Sequence, residues 1–151
     1  MHKVPEIKAA YDWAIKAYSA EVATAMAAGN RLAVERLDGT RDLLERGFFV
    51  LLFGQFEAEV TQLFERVRDK RSAVANWVTR RGWDVPEYIG KRVPFETKLA
   101  LVLDRRDAAH GKVLRAYATR NHCAHGGHTE PVGSIDQFVN DLYAWQSRLT
   151  K

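Results

Sequence analysis

The residues best suited to chemistry lie in one short stretch of the chain, residues 120–125. Arg120 could hold a phosphate through the planar fork of its N–H donors, and the amide of Asn121 could orient the same group. His125 could move a proton at neutral pH, because imidazole exchanges protons in that range. These residue types suit phosphodiester chemistry without a metal ion, so we predict that Arg120, Asn121 and His125 are catalytic.

The spacing of Arg120 and His125 is not informative by itself. In a chain with this many Arg and His residues, an Arg followed by a His after four to six intervening residues is expected about once or twice by chance. The matches in this chain are Arg105 with His110, Arg115 with His122, and Arg120 with His125. The position of each pair in the predicted fold is therefore needed to distinguish among them.

The pair Arg120 and His125 lies at the end of a predicted amphipathic helix. Steps of three and four along that helix connect one stripe: His110, Leu114, Tyr117, Asn121, and His125 or Ala124. The stripe is apolar in the middle, so we expect Asn121 and His125 to continue it into the bundle, where unpaired polar groups are costly. Arg120 lies about 140° from His125 around an ideal helix, so a complete site is expected to need two copies of the chain.

Two glycines, Gly126 and Gly127, predict that this helix ends at His125. The partial negative charge at a helix C-terminus stabilises imidazolium, which suits His125 to act as an acid or a base. The alternative is a polar network, or a solvated His cap, that only fixes the helix end. The residue types favour both interpretations equally.

Helical periodicity extends over most of the chain. We predict helices over about 5–28, 41–71, 73–80, from 94 onward, 108–125, and from 135 onward, with a short helical piece over 32–37 between the first two. The predicted N-caps are Thr40, Ser72, Asp107 and Ser134. Asp38-Gly39 is predicted to break the chain between two helices, and residues 82–93 are predicted to be irregular.

The long helix is expected to lie at the centre of the fold. Its apolar seam is spaced by four and three residues and consists of Phe49, Phe53, Phe56, Val60, Leu63 and Val67. The run 48–53 is apolar on every side, so neighbours or a second protomer should surround it. Because no segment alternates with period two, we predict an all-α, up-and-down bundle of four to six helices with one long central helix.

The bulk composition fits one globular domain over residues 1–151. Apolar residues make up 46% of the chain and charged residues 28%. No uncharged apolar run reaches about 18 residues, and the N-terminal segment lacks a signal-peptide pattern, so no membrane span is expected. The single cysteine, Cys123, fits a reducing cytoplasm. The net charge of +4 permits an anionic partner without requiring one.

The sequence resembles a HEPN domain, an all-α family whose signature is Arg-x4–6-His with a polar residue, often Asn, directly after the Arg. Arg120 and Asn121 match that signature, as do the small residue Ala124 before His125 and Gly126 after it. The apolar–Phe–Glu stretch over 52–59 is similar to one in stand-alone bacterial HEPN proteins of the RiboL-PSP-like kind. The resemblance covers roughly residues 40–145.

This resemblance implies a metal-independent endoribonuclease without a cofactor, acting as a homodimer with its two motifs across a shared cleft. Arg120 would bind the scissile phosphate, and His125 would act as general base or acid on the ribose 2′-OH and the leaving oxygen. Asn121 would orient the phosphate or the His, and the product would carry a 2′,3′-cyclic phosphate. Such proteins often serve as toxins or anti-phage effectors, alone or neutralised by an antitoxin protein. Other HEPN-like modules bind a nucleotide or a protein partner without cleavage.

Three further features have alternative interpretations. His122, His125 and His128 beside Cys123 could ligate a transition metal, but no further ligand is evident. Cys123 could also act as a nucleophile, but its neighbour His122 points about 100° away on an ideal helix, so a packed or partly exposed thiol is favoured. Glu57 or Glu59 on the central helix could orient the site, although an inter-helix ion pair is the more usual role. The basic clusters 66–71, 80–81 and 91–92, interleaved with aromatic residues, could line an RNA path, but solvated helix ends explain them more simply.

Overall fold

The computed structural model of this chain describes residues 1–88, 93–127 and 131–150. Within these ranges the regular elements are helices: α1 (Val4–Ala27), α2 (Arg31–Ser72), α3 (Trp77–Tyr88), α4 (Phe95–Val102), α5 (Ala108–Ala124) and α6 (Ile135–Gln146). The predicted all-α bundle with one long central helix is confirmed. None of these helices has the length and apolar character needed to cross a membrane.

Helix α2 is 42 residues long and contacts each of the other helices. Five residues of the predicted seam are buried. The full set of buried residues on α2 is Phe49, Leu52, Phe53, Phe56, Val60, Leu63 and Phe64. The ring of Phe53 lies 5.7 Å from that of Phe95 on α4 and 6.0 Å from that of Tyr117 on α5. Burying a side chain of this size contributes roughly 1.5–3 kcal/mol, so these contacts fix α4 and α5 against α2.

The predicted break at Asp38-Gly39 and the predicted N-cap at Thr40 are wrong, because α2 starts earlier and runs through both. Asn30 is the N-cap, and the Thr40 hydroxyl instead donates to a backbone carbonyl one turn earlier at 3.2 Å. A glycine inside a helix costs only about 1 kcal/mol. Packing of this part of α2 against α1 offsets that cost. The contact between the two helices includes a hydrogen bond from the Tyr18 hydroxyl to Asp38 Oδ1 at 3.3 Å.

The predicted ends of α3 are also wrong. Ser72 is the last residue of α2, and the Asn76 side chain caps α3 by accepting from the Val78 N–H at 2.9 Å. The helix continues to Tyr88, so the first part of the predicted irregular segment is helical, and residues 89–92 lie outside the described part of the chain. Trp83 supplies the apolar contact that extends it, because its half-buried side chain packs against the core.

The caps predicted for α5 and α6 are confirmed. Asp107 Oδ1 accepts from the Ala109 N–H at 2.8 Å, and Ser134 Oγ accepts from the Gln137 N–H at 3.3 Å. Arg148 also binds Asp107, with 2.9 Å between Nη1 and Oδ2. These contacts set where α5 begins, and therefore how far its C-terminal residues reach along α2.

Candidate functional site

Arg120 extends from α5 to α2, where it forms an ion pair with Glu57. Arg120 Nη2 lies 3.2 Å from Glu57 Oε2, and the two side chains are 29% and 28% exposed. A pair this accessible contributes at most about 1 kcal/mol to stability. Its main effect is to orient the guanidinium, and it is the inter-helix ion pair predicted for this part of the central helix.

The other predicted carboxylate has a different partner. Glu59 accepts a hydrogen bond from the amino group of Met1 at 2.7 Å. This hydrogen bond is the main reason that the pKa of Glu59 is lowered from its ordinary value. Glu59 therefore fixes the start of the chain to α2. Of these two glutamates, Glu57 is the one that contacts Arg120.

Asn121 binds the same guanidinium through its other terminal nitrogen. Arg120 Nη1 donates to Asn121 Oδ1 at 3.0 Å. A guanidinium carries five N–H donors, and these two contacts use one on each terminal nitrogen. The donors that remain on those nitrogens are available to a phosphate. Arg120 Nε is shielded from solvent and has no acceptor among the described residues.

His125 does not point into the bundle, so that prediction is wrong. The buried residues of α5 are Ala109 and Val113, and Arg120 follows Val113 two turns later on the same side of the helix. His125 is exposed. Arg120, rather than His125, therefore lies on the side of α5 that faces the bundle.

The predicted glycine stop after His125 is confirmed. Gly126 has a φ of +71°, in the left-handed region that glycine adopts without a side-chain clash. The Gly127 N–H donates to the His122 carbonyl at 3.0 Å, and the Gly126 N–H donates to the Cys123 carbonyl at 3.3 Å. This pair of bonds is the Schellman ending of a helix. It leaves His125 at the helix end, where its side chain makes no hydrogen bond with any described residue.

One chain therefore brings Arg120, Asn121 and Glu57 together and leaves His125 apart from them. The structure gives no contact between His125 and Arg120 within the described residues, which agrees with their separation around the helix.

Cys123 is a packed thiol, as predicted. It is half-buried against the core, and this burial raises the pKa of the thiol above its ordinary value. A protonated thiol is a poor nucleophile and a poor metal ligand. Among the residues that the structure describes, no three His, Cys, Asp or Glu side chains group around a point where a metal could bind, and His128 lies outside those residues.

The basic and aromatic surface considered for RNA is only partly described. Trp77 is 59% exposed, whereas Trp83 packs against the core, so these two rings do not share one accessible surface. Arg68 binds its neighbour Asp69 at 2.8 Å. Residues 91 and 92 lie outside the described ranges. The described part of this surface fits solvated helix ends better than a continuous stacking platform.

Two residues near the site were not selected from the sequence. Lys98 Nζ on α4 donates to Thr61 Oγ1 on α2 at 3.3 Å, and Thr61 lies one turn beyond Glu57. The spacing of four residues between Glu57 and Thr61 could have drawn attention to Thr61. Nothing in the sequence singles out Lys98, because it reaches this position through the packing of a different helix.

Comparison of the chain with known proteins finds no matching family model, no matching curated protein and no matching solved structure. Function therefore has to be inferred from the residues around the C-terminal end of α5 and from their geometry.

Proposed function

We propose that this protein is a metal-independent endoribonuclease of the HEPN type. One observation carries the proposal: at the end of α5, an oriented cation and an accessible imidazole lie five residues apart. Arg120 is held by Glu57 and Asn121, and the exposed side chain of His125 makes no hydrogen bond or ion pair with a described residue. An anchored guanidinium can stabilise charge on a phosphate, and a solvent-facing imidazole can exchange protons with substrate.

In the proposed reaction the ribose 2′-oxygen attacks the adjacent phosphorus and the bond to the 5′-oxygen breaks. One proton leaves the 2′-OH and one arrives at the 5′-oxygen, so the products carry a 2′,3′-cyclic phosphate and a 5′-OH. Arg120 would bind the phosphate oxygens, with Asn121 keeping the guanidinium in place. His125 would transfer one of the two protons. No step requires a metal ion or a cofactor.

We further propose that the active form is a homodimer. Arg120 faces α2 while His125 projects from the helix end, so residues of one chain alone do not surround a phosphate. A two-fold axis close to the ends of both α5 helices would place His125 of one protomer against Arg120 of its partner. A role as a toxin or anti-phage effector, with or without an antitoxin protein, would fit such an enzyme.

The test is cleavage of a labelled RNA in EDTA. Wild-type protein should cut it and leave cyclic phosphate ends, and Arg120→Ala or His125→Ala should each lower the rate by at least about 100-fold. His122→Ala is the matched control, because His122 is another exposed histidine of the same helix. Wild-type rates in both Arg120→Ala and His125→Ala, or no cleavage by the wild type, would disprove the proposal.

The ion pair between Glu57 and Arg120 favours one alternative function. A carboxylate beside the guanidinium offsets the charge that a phosphate would otherwise bind. A HEPN-like module that binds a nucleotide or a protein partner without cleavage fits this feature. It predicts dimerisation and ligand binding by a protein that leaves RNA uncut in EDTA.

A further inference from the structure

A second cation contacts α2 one turn away from the ion pair between Arg120 and Glu57. Glu57 and Thr61 are one turn apart on that helix, and residues with this spacing have Cβ atoms about 5–6 Å apart. Glu57 binds Arg120 of α5 at 3.2 Å, and Thr61 accepts a hydrogen bond from Lys98 of α4 at 3.3 Å. Two cationic side chains from different helices therefore converge on one turn of α2.

The two cations differ in how far their charge is compensated. Arg120 is paired with a carboxylate, whereas Lys98 contacts only a neutral hydroxyl and has no carboxylate within ion-pair distance among the described residues. In the group formed by Glu57, Arg120 and Lys98, the uncompensated positive charge is therefore that of Lys98. An anion that approaches this turn of α2 is attracted mainly by its ammonium group.

The side chains of this group are partly exposed, and so is the adjacent surface of α2. Ala58 is exposed, and a Cβ placed on Gly54, one turn before Glu57, would meet no atom within 4 Å. The bond from Lys98 to Thr61 is long for a charged donor, and its exchange for a phosphate oxygen would replace a neutral acceptor with an anionic one.

We propose that Lys98 binds the RNA backbone beside Arg120, as a second phosphate-binding residue of the site. The inference rests on the proposed ribonuclease function, since it assigns Lys98 to the same substrate. Glu57 orients Arg120 at the cost of part of the attraction for phosphate, and Lys98 restores that attraction.

The experiment measures binding of a fluorescent single-stranded oligonucleotide with 2′-O-methyl riboses, in EDTA, over a range of KCl concentrations. This probe lacks the nucleophilic 2′-OH, so binding is measured without cleavage. Lys98→Gln should weaken binding about five- to tenfold and reduce the salt slope by about one. Lys98→Arg should keep most of the affinity, and Lys16→Gln, at an exposed lysine of α1, should match the wild type.

Three outcomes overturn the inference: a Lys98→Gln protein that binds within twofold of the wild type with the same salt slope, equal losses in Lys98→Gln and Lys98→Arg, or a wild type that does not bind the probe. Thr61→Val separates the charge from the hydrogen bond and should retain binding. Cleavage of unmodified RNA is scored separately. A wild type that binds the probe through Lys98 but leaves RNA intact would disprove the ribonuclease proposal and still support phosphate binding by Lys98.

Discussion

A pair with Arg-x4-His spacing lies at each end of helix α5, and the two pairs differ in which side chain is anchored and which is exposed. At the N-terminal end Arg105 is exposed before the helix begins, while His110 is half-buried with its Nε2 atom shielded and unpartnered among the described residues. At the C-terminal end Glu57 anchors Arg120, and the histidine, His125, is exposed. Only the second end combines an anchored cation with an accessible imidazole.

This difference comes from where each pair lies on the helix rather than from its spacing. At the N-terminal end His110 lies inside α5 and is half-buried, whereas at the C-terminal end His125 is the C-cap residue and is exposed. At the C-terminal end the chain also turns away at Gly126. That turn leaves His125 outside the packed part of the helix, where its side chain is exposed.

The largest expected effect compares these two pairs directly. Arg105→Ala and His110→Gln should leave RNA cleavage within about twofold of the wild type, in contrast to the loss of at least about 100-fold expected for Arg120→Ala and His125→Ala. Initial rates measured in EDTA, with folding checked by circular dichroism, decide the comparison. If the Arg105 or His110 variant lost as much activity as the Arg120 and His125 variants, the proposed catalytic pair would have been placed at the wrong end of α5.

A smaller effect is expected from Glu57→Gln, which removes the carboxylate charge but keeps the shape of the side chain. Arg120 would lose its orientation, so kcat should fall about tenfold. KM should not rise, because the positive charge of Arg120 is then no longer offset. Steady-state kinetics separates the two effects, and Glu65→Gln, at an exposed position of the same helix, is the control. A rise in KM with unchanged kcat would mean that Glu57 contacts the substrate instead.

The smallest expected effect concerns two glycines with opposite roles. Gly126→Ala should destabilise the fold by about 1 kcal/mol, because alanine is strained at the φ of +71° that ends α5. Gly39→Ala should stabilise it by up to about 1 kcal/mol, since Gly39 is helical and its Cβ would meet no atom within 4 Å. Urea unfolding measures both changes. A Gly126→Ala protein as stable as the wild type would argue against the strained ending beside His125.

Local signals in the sequence predicted the features that depend on neighbouring residues. Asp107 and Ser134 cap the helices that they precede, and Gly126 ends α5, because each effect is set within a few residues. The buried seam of α2 followed from its period for the same reason. By contrast, the uninterrupted course of α2 through Gly39 depends on packing with α1, which no local pattern contains.

The candidate site was only partly predictable. The sequence identified Arg120, Asn121 and His125, but it placed His125 on the bundle side of α5, where the buried residues leave the inward position to Arg120. The rotation of α5 depends on which of its side chains pack against α2, and the polarity of the sequence alone did not reveal it. The position of Lys98 depends on how α4 packs, so no motif could have predicted it.

If Arg120 of one chain acts together with His125 of another, two inactive variants should restore activity when they form a dimer. Arg120→Ala and His125→Ala chains carrying different tags are co-expressed, and the heterodimer is isolated through both tags. It contains one Arg120 and one His125 on different chains, so it should recover roughly a quarter to half of the wild-type cleavage rate in EDTA, while each variant homodimer stays inactive. A heterodimer as inactive as its parents, or the absence of any heterodimer, would contradict the account.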